Sequence, residues 1–279
     1  MIQIICGFIL VLIGVLVFWK YPIKSDTKSL TLAALFIVLA AVLKRLSIMI
    51  PLFGFESLKI SIEVIPMLLA GIMLAPGYCY IIGIAVDLVG LIVTPTGFPF
   101  LGFTLSAVLQ TLIPSIVVVT VKENYTHFLE KIIQVILVLL AISACGYVFS
   151  LDQVTISNNV VNITFNYLYY LEEQYEMIYE IMKELINIGF IVMISVLFIV
   201  MYYYKRKLNE SDYHLFNLWL ISVVLVEMVI TFCLTPYWLQ VMYGIPFTLS
   251  LFIRVIKECI MIPVDIILGY SVLKVLKRL

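Results

Sequence analysis

Lys44, Arg45, Glu63, Asp87, Glu227, Arg254, Lys257 and Glu258 stand inside or at the ends of long apolar runs, with Gln110 as a neutral polar companion. Ionisable groups in such surroundings are costly, so each is either a functional group or one half of a structural ion pair. The chemistry they suit is recognition. Guanidinium and ammonium groups pair with anions, arginine in a two-pronged geometry that matches a carboxylate, and carboxylates accept from amino and ring N–H groups. Aromatic residues gather nearby in sequence: Phe98 and Phe100 in Thr94-Pro-Thr-Gly-Phe-Pro-Phe100, then Tyr237, Trp238, Tyr243 and Phe247. Such rings stack on a planar ligand or line the headgroup level of a bilayer.

These side chains must be carried by spanning helices. Of 279 residues, 64% are hydrophobic and 12% charged, with a mean hydropathy of +1.17, a composition suited to lipid rather than water. Segments near the 20 apolar residues needed to cross a bilayer occur at about 2–19, 29–50, 60–75, 77–93, 102–121, 131–150, 185–204, 214–235 and 246–273. Pro76-Gly77 divides the third from the fourth, which together would overshoot the membrane. The expected fold class is an all-α polytopic helix bundle.

Lys20, Lys24, Lys28, Lys122, Lys131, Lys205, Arg206, Lys207, Lys274, Lys277 and Arg278 fall on one side when Met1 is outside. The positive-inside rule therefore orients the N-terminus outward and the C-terminus to the cytoplasm. The first segment lacks a charged leader region and a small-residue cleavage site and reads as a retained anchor. The stretch 151–184 is the one sizeable region outside the membrane. Its second half reads as an amphipathic helix with Leu168, Leu171, Tyr175, Ile178, Met182 and Leu185 on one face and Glu172, Glu176, Glu180 and Glu184 on another.

With ~1.5 Å of rise per residue, Arg45 lies about 8 Å, Asp87 about 9 Å, and Glu227, Gln110 and Arg254 about 12 Å below the outer ends of their segments. Lys257 is one turn deeper and Glu63 sits near the outer start of its span. The common depth suggests a polar layer open to the outside; internal ion pairing is the competing reading. Asp265, about 28 Å along its segment, falls near the cytoplasm and receives no ligand role.

Several function classes are set aside. A formal charge of zero, from 17 basic and 17 acidic residues, leaves no footprint for nucleic acid. Cys6, Cys79, Cys145, Cys233 and Cys259 are scattered singly, and His127 and His214 lie at segment ends, so no metal site is expected. No phosphate-binding Gly-x4-Gly-Lys-[Ser/Thr] loop occurs, so ATP hydrolysis would have to come from a partner.

Two blocks carry a family resemblance. One runs from Leu32-Ala-Ala34 through Arg45-Leu-Ser, Lys59-Ile-Ser-Ile-Glu-Val-Ile-Pro66, Leu69-Ala-Gly-Ile-Met-Leu-Ala-Pro-Gly77 and Gly83-Ile-Ala-Val-Asp-Leu-Val-Gly90 to Thr96-Gly-Phe-Pro-Phe-Leu-Gly-Phe-Thr104. The other holds Trp238-Leu, Tyr243-Gly-Ile-Pro-Phe247, Arg254 and Lys257. In these the chain resembles the substrate-binding (S) components of energy-coupling factor vitamin transporters, in their folate branch.

The resemblance implies a six-helix core with about three additional transmembrane helices. Residues 1–28 would form the extra anchor and linker, 29–122 the first four core helices, 123–213 an inserted helix pair, and 214–279 the last two core helices and a basic tail. It further implies a non-enzymatic receptor in the cell membrane, without a cofactor of its own. Such a receptor works with a transmembrane coupling subunit and two ATPase subunits. A pterin ring would stack on Trp238, Tyr243 or Phe98, with Phe247 beside them, and Glu63 or Asp87 would accept its N–H groups. Arg254, Arg45 or Lys257 would pair with the glutamate tail. Ala33, Ala34, Ala40 and Ala41 are the expected coupling face, at a spacing that departs from the family's Ala-x3-Ala. The rivals are an S component for another small metabolite, an intramembrane enzyme using Glu63 or Asp87 as acid or base, and an assembly protein whose charges only staple helices.

Overall fold

The computed structural model describes residues 2–23, 26–52, 55–93, 99–154, 172–245 and 247–277. The chain is an all-α membrane bundle. Its helices are α1 (Ile2–Lys20), α2 (Thr27–Arg45), α3 (Val64–Met73), α4 (Pro76–Val93), α5 (Leu101–Thr120), α6 (Thr126–Val154), α7 (Glu172–Lys207), α8 (Glu210–Tyr243) and α9 (Phe247–Leu276). Among the described residues, seven helices are long and apolar enough to cross a membrane, and α3 is a shorter apolar helix. Ile4, Phe8, Val11, Val38, Ile142, Ile191, Ile199 and Val275 point outward. Apolar side chains exposed along so many helices make this a multi-pass membrane protein with its outer faces in lipid.

One correction concerns the span expected at 29–50. The helix stops at Arg45, and Ile48–Leu52 instead pairs antiparallel with Phe55–Ile60, forming strands β1 and β2. Pro51 cannot continue a helix and disfavours helical geometry in the residue before it. Hydropathy alone does not separate a short apolar strand from the last turns of a helix. A second difference lies at α7, which runs unbroken from Glu172 to Lys207, so the described part of the expected amphipathic stretch and the span expected at 185–204 share one helix. Leu168 and Leu171 of that stretch lie outside the described residues.

The break between α3 and α4 comes where proline was expected to put it, with Pro76 opening α4. Backbone groups freed inside a membrane must find partners in the protein. Ser115 Oγ donates to Leu74 O at 2.8 Å, and Thr111 Oγ1 donates to Cys79 O at 2.7 Å. Both come from α5, which packs against α3 and α4. At Gly83 an added Cβ would collide with the Val108 backbone of α5, so only glycine permits this approach.

α1 is packed into the bundle through Cys6, Leu10, Gly14 and Val17. Tyr80 donates to Leu10 O at 2.9 Å and fills the space that a side chain at Gly14 would need. α6 and α7 join the main core through Ile133, Leu137, Phe190, Met193, Leu197 and Met201. Lys205 clamps Glu130 with two contacts of 2.8 and 2.9 Å at one end of that pair.

Asp26 starts α2, accepting from the N–H groups of Lys28 and Ser29 at 3.3 and 3.2 Å and from Ser29 Oγ at 2.9 Å. The Ser29 hydroxyl, followed by those N–H groups, holds the Asp26 carboxyl below its usual range. A depressed folded-state value means that this cap is fully effective above the unfolded carboxylate value of about 3.9 and is lost as pH falls through the folded value.

Two outcomes are expected. Hydrogen-exchange protection factors in the first turn of α2 fall under acid conditions in the wild type, whereas Asp26→Asn, which keeps the acceptor, removes that acid dependence. Gly83→Ala lowers stability by about 1–3 kcal/mol through overpacking. Gly146→Ala, where nothing lies within 4 Å of the added atom, leaves stability unchanged or slightly raised in the same unfolding titration.

Candidate functional site

α8 and α9 run antiparallel, and their side-chain contacts set the register. Tyr270 donates to Asp212 O at 3.1 Å, and Trp219 Nε1 donates to Asp265 O at 3.2 Å. The Trp219 ring occupies the space that a side chain at Gly269 would take. One step further along this ladder, Glu227 of α8 comes beside Glu258 of α9. At this level α8 changes character: Glu227–Leu234 is a π-helical segment, ahead of Pro236. Pro236 has no N–H to give the preceding turn, and the Thr235 N–H and hydroxyl both reach Ile230 O, the hydroxyl at 2.8 Å. Such wide turns recur at functional sites.

The ionisable residues here form one array whose carboxylates are buried, while Arg254 and Lys257 are partly exposed. Glu258 is 0% exposed, Asp265 1% and Glu227 3%. Lys257 Nζ lies 2.9 Å from Glu258 Oε1. The contact has ion-pair length but lies off the hydrogen-bonding direction, so both Glu258 oxygens lack an aligned donor. Arg254 interacts electrostatically with Glu258 and Glu227, and Asp265 with Glu258 and Lys257. Arg254 Nε, Glu227 Oε2 and Asp265 Oδ1 are buried without hydrogen-bond partners. About three and four turns from Glu227 towards the α8 start, Asn217 is 0% exposed with both amide atoms unpartnered, and Tyr213 OH is likewise unpartnered.

A second group sits on α2, α4 and α5. Thr104 Oγ1 donates to Asp87 Oδ2 at 2.6 Å, and Lys44 Nζ stands 3.9 Å from Asp87 Oδ1, with its chain laid along Gly90. Asp87 is buried, while Lys44 is partly exposed. The carboxylate is thus engaged by its own bundle. Among the described residues no ion pair connects this group to the α8/α9 array.

The aromatic residues are distributed unevenly. Trp238 is buried, donates from Nε1 to Ser106 Oγ at 3.1 Å, and meets Phe100 edge-on at 5.5 Å between centroids. Its ring belongs to the cluster of α1, α4 and α5. Tyr243 is exposed and Phe247 half-buried, while Phe98 lies outside the described residues. Arg45 is exposed at the end of α2. Glu63 is half-buried at the start of α3 with an interaction of its own, and its N–H donates to Ser61 Oγ at 3.2 Å.

The layer expected from depth is thereby resolved into separate groups. Arg254 and Lys257 come together with Glu227; Asp87 is held by Lys44 and Thr104; Trp238 is enclosed by Phe100 and Ser106. Asp265, given no role on depth alone, belongs to the same array as Glu227, and Asn217 lies about three turns away on α8. The signal available in the sequence was the helical register of Trp219, Glu227, Glu258 and Asp265, legible once two antiparallel helices are set side by side. Ala33, Ala40 and Ala41 are buried and Ala34 is exposed, so the four do not share one outward face. No protein-family model, no curated protein and no solved structure matches the chain.

Thr104→Val leaves the Asp87 carboxylate short of its nearest donor. It is expected to lower stability by about 1–3 kcal/mol in denaturant titration of the detergent-purified protein, whereas Thr104→Ser retains most of it.

Proposed function

We propose that this chain is the substrate-binding subunit of an ATP-driven importer of the energy-coupling factor type, capturing folate or a related pterin. The observation that carries the reading is that Arg254 and Lys257 are partly buried in the helix bundle, among buried polar atoms that lack partners. Buried ion pairs contribute little to stability compared with apolar residues of the same volume, so a permanent guanidinium at this depth is better accounted for by recognition of an anion. A ligand carboxylate would supply the acceptor that Arg254 Nε lacks. The sequence blocks at 32–104 and 238–257 support the vitamin class, and Trp238 and Tyr243 lie on the helix end and connection that precede α9. Asp87, already engaged by Thr104 and Lys44, would have to exchange partners to accept from a pterin, so Glu63 is the stronger acceptor on this reading.

In this account the N-terminus faces outward, the C-terminus faces the cytoplasm, and energy comes from a membrane coupling subunit with two ATPases. Of the alanines on α2, Ala34 alone faces outward, together with Leu30, Leu35 and Val38. Docking through that helix would therefore use a larger and more apolar face than a stripe of small residues.

The test is a titration of the detergent-purified protein with folate, followed by quenching of tryptophan fluorescence. Saturable binding is expected, weakened tenfold or more in Arg254→Ala, equivalent to about 1.4 kcal/mol. Folded protein that binds no folate overturns the vitamin, and unchanged affinity in Arg254→Ala removes that residue from the site.

A further inference from the structure

The α8/α9 array is unbalanced in charge. Glu227, Glu258 and Asp265 supply three carboxylates against the two cations Arg254 and Lys257, and all of them interact electrostatically in one buried stretch. Lys257 is taken by Glu258 at 2.9 Å. Arg254 has Glu258 and Glu227 as its acidic neighbours, so among the described residues the third carboxylate has no cation left to it. Glu227 Oε2, Asp265 Oδ1 and both Glu258 oxygens belong to side chains more than nine-tenths buried and lack aligned donors.

Among the described residues, the surrounding elements do not make up the difference. α7 carries no charged residue from 187 to 204, and the two before it, Lys183 and Glu184, are of opposite sign. In sequence β2 carries one acid and one base, Glu56 and Lys59, whose side chains lie outside those described, and α3 carries none beyond Glu63 at its start, which has its own interaction. On α8 the other charged residues, Glu210 and Asp212, and His214 lie in its first turns, far along the helix from Glu227. Cys259 Sγ donates to Val255 O at 3.3 Å and Tyr270 to Asp212 O, so neither supplies a positive charge.

An uncompensated carboxylate inside a bilayer is neutralised by taking up a cation or a proton. Among the described residues no three His, Cys, Asp or Glu side chains are gathered as a metal site. We infer that Glu227, Glu258 and Asp265 together bind one proton in the ligand-free protein, forming an intramembrane proton site between α8 and α9 that is independent of the folate reading. The proton comes from bulk water and converts one carboxylate to a carboxylic acid, which brings the charges of the array into balance. The π-helical start at Glu227 places this site where α8 departs from regular hydrogen bonding, so proton binding and release act on an irregular helical segment.

Infrared spectroscopy of the full chain in a maltoside detergent, which has no ester carbonyl, reads the site directly through the C=O stretch of a protonated carboxyl and its downshift in D2O. The wild type at neutral pH is expected to show this band. Asp265→Asn and Glu227→Gln each restore two acids against two cations and abolish it, Lys257→Met about doubles it, and Glu210→Gln at the exposed start of α8 leaves it intact. A wild-type spectrum without the band overturns the inference whether or not the variants fold. A band indifferent to Asp265→Asn and Glu227→Gln does the same. So does a wild type that lacks the band and is thermally stabilised by sodium or potassium chloride but not by choline chloride, which assigns the balancing charge to a metal cation.

Discussion

Lipid offers no hydrogen bonds, and the architecture of this protein follows from the need to satisfy every polar group internally. At the α3/α4 break the free Leu74 carbonyl would be a serious cost, and Ser115 reaches across from α5 to meet it. At Asp87 the donor is Thr104, again from α5, with Lys44 as counter-charge from α2. α5 is therefore the helix that makes the first half of the bundle tolerable in a membrane. It can do so because Gly71 and Gly83 let its backbone come close to α3 and α4.

The second half obeys the same constraint less completely. α8 and α9 are aligned by Trp219 and Tyr270, whose polar atoms go to backbone carbonyls across the interface. Beyond them comes a run of side chains whose hydrogen-bonding capacity exceeds what their neighbours supply. The contrast between halves is informative. Where the bundle is structural, buried polar groups have partners at 2.6–2.9 Å; where they lack them, a ligand or a proton is the natural complement. This contrast, rather than the number of charges, separates the α8/α9 array from the Asp87 group.

The two halves also differ in backbone regularity. Pro114 lies inside α5 and Pro263 inside α9, and α8 passes through a π-helical segment before Thr235. Prolines and wide turns leave carbonyls without their usual helical donors and permit small changes in helix direction. In α9 the proline falls between Glu258 and Asp265, so the polar array spans a point where the helix lacks a regular hydrogen bond.

Much of the fold was legible from local sequence. Hydropathy sums over neighbouring residues, so seven of the nine expected spans, the break before Pro76 and the membrane class followed from short windows alone. Ile48–Leu52 escaped because an apolar run has the same hydropathy as strand or helix, and Pro51 was the clue that decided it. Depth, too, is a local quantity: counting residues along a helix placed Glu227 and Arg254 at one level without knowledge of their neighbours. What residue counting cannot supply is the direction in which each side chain faces, because that depends on how helices distant in sequence pack and rotate against one another. Tertiary packing therefore turned Asp87 towards Thr104, enclosed Trp238 against Phe100, sent Ala33, Ala40 and Ala41 inward, and brought Asp265 into the array with Glu227 and Glu258. The composition of the chain determined that charges in this membrane protein would need partners; the packing of α5, α8 and α9 decided which of them received one.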